Sequence, residues 1–426
     1  MATVQTIISG TADAPVRDGT AEYSTLMGDG DTVWHATEAN RESIISTPGK
    51  LTNLKVSVKT APSAGKSWTF TIRLGNAGGA MADTALSVTI SDTDVLSSLD
   101  TSEVTVAAGQ RVDISATGAG TPTAAGAIYW RCDFIPDTAG ETLLLSNTAG
   151  NESIDDYNTL IGSKWPDITE FDGQTLFPTA GTLKNLYVEL TAAPGAGKSR
   201  TYTIWKNGIA QSLVVTISDS ATTGSDTDPA HAVTIAAGDK VAIKESCVGV
   251  PEVLYVKFGS TFLPDTAGEW ITSATTDDAT SSSAVEYQHL NCGDSTLTAT
   301  ENEQHGLAPA TTAKKIYVNL STAPGAGYTW VFTLREALAD TALTVSIADA
   351  NTSGNAAIDE AIAADALVNT SIDAMAGTAT SKTQIAILFY NAPTVPAAPA
   401  FKLKMIPKRP WNRMSRLYKS LSLKGG

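Results

Sequence analysis

From Leu54 the chain alternates strictly, with Leu54, Val56 and Val58 set against Lys55, Ser57 and Lys59. A period of two puts the apolar residues on one face of a β-strand. The pattern returns at Leu186, Val188 and Leu190, and again at Ile316, Val318 and Leu320. Each copy runs into A-P-x-A-G and then a second apolar set. That set is Trp68, Phe70 and Ile72, then Tyr202 and Ile204, then Trp330, Phe332 and Leu334. Pro62, Pro194 and Pro324 fix φ beside the turn, while Gly65, Gly197 and Gly327 permit positive φ. The predicted element is a hairpin of two half-buried arms. A lone hairpin is marginal in water, so each must meet a second sheet.

The copies lie about 130 residues apart, so one domain is written three times. Other features keep the same period. A prelude reads Tyr23-Ser-Thr-Leu-Met-Gly28, then Tyr157-Asn-Thr-Leu-Ile-Gly162, then Tyr287-Gln-His-Leu-Asn-Cys-Gly293. A third strand carries Leu86, Val88 and Ile90, then Leu213, Val215 and Ile217, then Leu343, Val345 and Ile347. A turn follows as V-T-V-A-A-G from Val104 and V-T-I-A-A-G from Val233. In the third copy Asp365 replaces the turn glycine, which predicts a helical or reshaped stretch there. A last core strand holds Ile128, Trp130 and Cys132, with Val256 and Phe258, then Ile385, Ile387 and Phe389, as counterparts. Seven or eight short strands per repeat, with turn signals every 8–15 residues, predict an all-β chain of three tandem antiparallel β-sandwiches. Periodicity leaves jelly-roll and immunoglobulin-like strand orders both open. The expected boundaries are 1–142, 143–271 and 272–395, with a Pro-rich linker and basic C-terminal tail over 396–426.

Charge sharpens the division. The chain has a net charge of −15, yet Lys402, Lys404, Lys408, Arg409, Arg413, Arg416, Lys419 and Lys424 put +8 on residues 401–426, with no acid among them. That leaves −23 on residues 1–400, a body unsuited to nucleic acid along its length. Cys132, Cys247 and Cys292 are odd in number and widely spaced, so neither a disulfide framework nor a zinc site is indicated. The N-terminus lacks a basic n-region and a long apolar core, and no apolar run reaches membrane length. The expectation is assembly in a host cytoplasm, with no membrane span.

The unit G-x-L-x-N-L-x-V-x-L-x-x-A-P-G-A-G-K-S-x-T-(F/Y)-T-(I/L), followed by D-T-A-L-x-V-T-I-S and V-A-A-G-D-x-(V/I), resembles a repeat found in structural proteins of tailed bacteriophages. Gly49 to Val112 bear it in the first copy, Gly181 to Val241 in the second, and Lys315 to Ile347 in the third. The resemblance implies a jelly-roll-like sandwich on a virion surface, as capsid decoration, fibre or tail component, and its motifs are architectural.

The candidate sites are few. The tail interleaves its cations with Met405, Ile406, Trp411, Met414, Leu417, Tyr418 and Leu421, as an anchor on a capsid or tail protein would. Its partner-anchoring residues are Lys402, Lys404, Lys408, Arg409, Trp411, Arg413, Arg416, Tyr418 and Lys419. Contact with DNA or membrane phosphates, and a plain disordered terminus, are the other readings. Gly197-Lys198-Ser199 echoes the end of a phosphate loop, but Ala192 stands where that motif needs glycine and a strand follows it. Aspartate pairs at Asp92 and Asp94, Asp155 and Asp156, Asp226 and Asp228, and Asp277 and Asp278 offer calcium-type oxygens without the loop spacing, and polar turns favour aspartate anyway. His35, His231, His289 and His305 show no pairing along the chain. Tyr187, Trp205 and Tyr317 fall on outward registers, as a glycan-binding patch or a face toward another repeat or protomer would require. The expectation is therefore a non-enzymatic virion structural protein without cofactor or metal, self-associating as a homo-oligomer, with a trimer as the expected state. The alternative is a host glycan- or receptor-binding module used in host attachment.

Overall fold

The computed structural model describes residues 3–11, 20–28, 34–151, 156–164, 167–249, 254–276, 278–292, 297–375 and 377–393. Among these, regular structure is strand apart from short 3-10 turns at Glu38–Asn40, Pro229–His231 and Glu301–Glu303. No described helix is long and apolar enough to cross a membrane.

The first repeat carries β1 (Gln5–Thr11), β2 (Glu22–Ser24), β3 (Ser43–Ile44), β4 (Gly49–Val58), β5 (Ser63–Gly75), β6 (Met81–Asp92), β7 (Val104–Val106), β8 (Arg111–Ala119) and β9 (Ile128–Pro136). The second carries β10 (Thr142–Asn151), β11 (Tyr157–Asn158), β12 (Gly162–Lys164), β13 (Thr175–Leu176), β14 (Gly181–Leu190), β15 (Gly195–Lys206), β16 (Ile209–Asp219), β17 (Thr223–Asp226), β18 (Val233–Ile235), β19 (Lys240–Val248) and β20 (Leu254–Pro264). The third carries β21 (Glu269–Thr275), β22 (Glu286–Gln288), β23 (Gly306–Leu307), β24 (Thr311–Leu320), β25 (Gly325–Glu336), β26 (Ala339–Asp349), β27 (Ser353–Ile362), β28 (Leu367–Ala374) and β29 (Thr383–Tyr390).

In the first repeat one sheet runs β1-β9-β4-β7 and the facing sheet β2-β8-β5-β6, with β3 also on β8. Taking its eight principal strands in chain order, the sheets read 1-8-3-6 and 2-7-4-5. That is the jelly-roll order, which periodicity alone left undecided. The other repeats repeat it, as β10-β20-β14-β18 facing β11-β19-β15-β16, and β21-β29-β24-β27 facing β22-β28-β25-β26. The third repeat's first strand begins at Glu269, so 269–271 pair with β29 rather than within the second repeat.

The expected hairpin is corrected too. The stretch around A-P-x-A-G is not a hairpin, because β4 and β5 lie in opposite sheets. Leu54, Val56 and Val58 reach the interior from one side and Trp68, Phe70 and Ile72 from the other, all at most 2% exposed. An inward-facing alternation on both arms is identical for a hairpin and for a corner between sheets. The true hairpin is β5–β6. It ties the corner down, since the carboxylate of Asp92 accepts a hydrogen bond from the Gly65 amide at 2.6 Å. Asp219 does the same for Gly197 at 2.7 Å and Asp349 for Gly327 at 2.8 Å. All three aspartates adopt positive φ, at 57°, 56° and 59°.

The turn at Asp365 is not helical either. It joins β27 to β28 with Asp365 at φ 65°, beside φ 85° for Gly109 and 90° for Gly238 in the sibling turns.

The repeats form a cycle. β3 packs across β10, β20 and β14, β13 across β21, β29 and β24, and β23 across β1, β9 and β4. The first repeat thus sits on the second, the second on the third, and the third on the first, in pseudo-threefold arrangement. The preludes meet too: the Ser163 amide donates to the Gly28 carbonyl at 3.0 Å, and a Cβ on Gly28 would lie 2.2 Å from the Asn291 carbonyl oxygen. The circuit closes where the Asn391 side-chain amide donates to the Val4 carbonyl at 3.1 Å.

Candidate functional site

The three seams between repeats gather most of the buried chemistry. At the seam of the first and second repeats, Glu42 and Arg111 meet Glu189 and Lys257. Lys257 Nζ lies 2.6 Å from Glu42 and 3.0 Å from Glu189, and Arg111 Nη1 lies 2.8 Å from Glu42 and 3.6 Å from Glu189. All four side chains are nearly sealed from solvent. Removing one member of such a cluster strands a buried charge, which costs roughly 3–5 kcal/mol. Ser46 and Thr261 hydroxyls bond across the same seam at 2.8 Å.

At the seam of the second and third repeats, Gln384 Nε2 donates to Gln174 Oε1 at 3.1 Å and its oxygen accepts from Asn319 at 2.8 Å. Lys382 reaches Asp172 at 2.7 Å. At the seam of the third and first repeats, Tyr129 meets the His305 ring edge-on with centroids 5.5 Å apart, and its hydroxyl donates to the Asn302 carbonyl. Asp365 takes Lys55 at 2.6 Å and Arg131 at 2.9 Å.

These contacts account for several sequence candidates. Tyr187 packs against Gly109 and Tyr317 against Gly238, where an added Cβ would lie 3.8 Å from each ring. Both tyrosines therefore face a neighbouring repeat of the same chain. Trp205 does not share that role. It lies edge-on to Tyr157 at 6.0 Å, under the Lys244 ammonium at 4.6 Å.

His289 and His305 are brought together by the fold, though 16 positions separate them in the chain. A Cβ on Gly10 of the first repeat would lie 3.3 Å from His289 and 2.2 Å from the His305 carbonyl oxygen, so both histidines sit in the closing seam. Burial, then the other histidine, pushes His289 down to about 3. Burial pushes His305 down to about 4, against the pull of Glu301. The His35 ring bonds within its own turn at Thr37 while its backbone bridges Tyr23, and His231 bonds Asp226 at 2.9 Å.

Asp92, Asp226 and Asp228 are turn devices. Asp226 accepts from the Val214 amide at 3.0 Å, and Asp228 caps Pro229–His231 through Ala230 at 2.9 Å. Burial alone would raise Asp226, but hydrogen bonds from Val214 and His231 hold it below the usual range. Among the described residues no cluster of three or more acidic, His or Cys side chains is placed to hold a metal. Asp155 and Asp277 lie outside the described residues. Gly197-Lys198-Ser199 lies within β15, with no helix after it for a phosphate.

One core cluster has no counterpart in the sequence reading. In the register where the first repeat has Trp68 opposite Gly118 and the third Trp330 opposite Ala374, the second has Arg200 opposite Cys247. The Arg200 guanidinium, wholly buried, pairs with buried Glu245. The Cys247 thiol donates to Glu245 at 3.3 Å, and the Tyr202 hydroxyl lies 3.4 Å from the same oxygen. Burial pushes the Glu245 carboxyl up to about 7 despite Arg200. Burial raises the Cys132 thiol, and Cys292 is buried as well, whereas Cys247 is half-buried.

The tail candidates Lys402, Lys404, Lys408, Arg409, Trp411, Arg413, Arg416, Tyr418 and Lys419 lie outside the described residues. No protein-family model matches the chain, and no curated protein matches it.

Proposed function

We propose that the protein is a non-enzymatic structural component of a virus particle, presented on the virion surface and held there by its basic residues 401–426. The observation behind this reading is the closed ring of three jelly rolls. Asp92, Asp226 and Asp228 are spent on turns and His289 and His305 on the closing seam of that ring, as suits an element whose work is shape. A body of −23 joined to a tail of +8 supplies an attachment segment of opposite charge to its carrier. The tail docks on an acidic, grooved partner such as a capsid or tail protein. Deleting residues 400–426 and measuring incorporation into particles tests this. The expected result is loss of the protein from purified particles, and unchanged occupancy refutes the anchoring role.

A second reading, binding of host glycans or a receptor, draws on one asymmetric surface. At one strand position the first and third repeats place Arg73 and Arg335 in ion pairs with Glu38 and Glu301, whereas the second places Trp205 beside Tyr157. Exposed Ile209 opposes Lys206 in the turn after that strand, and exposed Ile168 follows Asp167, which bridges Tyr157. A glycan array in which Trp205→Ala removes every signal favours this reading, and an array without signals disposes of it.

A further inference from the structure

The three seams are built on one geometry and filled with three chemistries. Glu42, Gln174 and His305 each stand immediately before the short strands β3, β13 and β23, the elements that reach onto the next repeat. The position each one meets is also equivalent. Lys257 pairs in register with Glu189, Gln384 with Asn319, and Tyr129 with Ser57, at matching points of the last and third principal strands. One seam is thus acid against ammonium, the next amide against amide, and the third imidazole against phenol. A second position behaves alike. Two seams seat a tyrosine over a turn glycine, while the third sets Lys55 against Asp365. Asp365 holds a left-handed conformation that glycine adopts more easily, and the ion pairs with Lys55 and Arg131 explain why it is there.

We infer that the seams are mutually exclusive locks, each repeat's sheet accepting one particular neighbour, so that the chain closes on itself as a monomer instead of pairing with a second copy. The reasoning is one of mismatches. Glu42 set against Tyr129 buries a carboxylate with no cation in the Lys257 position. His305 or Gln174 set against Lys257 and Glu189 takes Glu42 and Arg111 away together, so the buried Lys257–Glu189 pair loses both of its ionic partners. Each wrong pairing strands a buried polar or charged group, which is how specific interfaces reject competitors. The surface that a homotrimer of single sandwiches would use is filled here within one chain, and the outward tyrosines that suggested self-association belong to it. This inference rests on the seams alone and stands apart from the virion reading.

The test uses the full chain. Glu42→Gln should lower the thermal midpoint by roughly 5 °C, because Arg111 and Lys257 are left with Glu189 alone. Adding Arg111→Lys, Glu189→Asn and Lys257→Gln installs the residues of the seam between the second and third repeats. That set should regain at least half of the loss and remove its salt dependence. A quadruple variant no more stable than Glu42→Gln overturns the lock. Independently of any variant, sedimentation velocity of the unaltered protein should show a single 44.2 kDa species at every concentration. Concentration-dependent dimers or trimers overturn closure as a monomer.

Discussion

Acidification should open the ring at its closing seam first. His289 and His305 are 3% and 1% exposed, lie close enough that a charge on His305 opposes one on His289, and flank Gly10 of the first repeat. The charged groups around His305 are Glu301, 3.8 Å from Nε2, and Arg335, which opposes its protonation. Both rings have folded values below the ordinary 6.5, at about 3 and about 4. The unfolded chain therefore takes up protons that the folded seam refuses. Stability is retained above pH 6.5 and lost as pH falls toward 4. Between pH 7 and pH 5 each histidine withdraws about 2 kcal/mol, or about 4 kcal/mol together, a large share of a typical 5–15 kcal/mol. Raised acids work the other way. Glu245, at about 7, and buried Asp113, raised by burial and then by Glu38 and Glu42, gain stability on acidification. A difference measurement cancels them. The variant His289→Thr with His305→Gln carries residues found at the same places in sibling repeats, Thr25 and Thr159 for the first and Gln174 for the second. Urea unfolding followed by tryptophan fluorescence at both pH values should show the unaltered protein losing about 4 kcal/mol more than the variant. Parallel losses in the two proteins refute the reasoning.

Other outcomes follow from the same geometry. A Cβ on Gly259 would lie 1.8 Å from the Ile44 carbonyl oxygen, so Gly259→Ala should cost at least the 1–3 kcal/mol of ordinary overpacking, read by calorimetry. Replacing Arg200, Glu245 and Cys247 by the first repeat's Trp, Ala and Gly should leave stability unchanged or raise it by about 1–4 kcal/mol, and a marked loss would show that the ion pair is needed for folding. In the native protein iodoacetamide should label Cys247 well before buried Cys132 and Cys292, as peptide mass spectrometry would record.

The interior was legible because a period of two survives any arrangement of the sheets. Leu86, Val88 and Ile90, like their counterparts, are buried as their spacing predicts. The partner of each strand was not legible, since the β4–β5 corner and a hairpin present the same alternation. The seams left a fainter trace. Glu42, Gln174 and His305 look like unrelated loop residues until the repeats are aligned on the strands that follow them. Lys55 in place of a tyrosine and Asp365 in place of a glycine were both visible as departures from the repeat. Their common cause, a 2.6 Å ion pair across 310 positions, appears only in three dimensions. The histidine pair was hidden for the same reason.

The bond from Asn391 to Val4 has a consequence for how the chain can be cut. With its two ends adjoining, the circuit has no privileged starting point. A circular permutant that joins residue 391 to residue 4 through a short Gly-Ser bridge, and opens between Pro136 and Thr142, should fold to the same ring. Its new termini would leave from a different corner of the triangle, so that cargo could be fused at a chosen vertex.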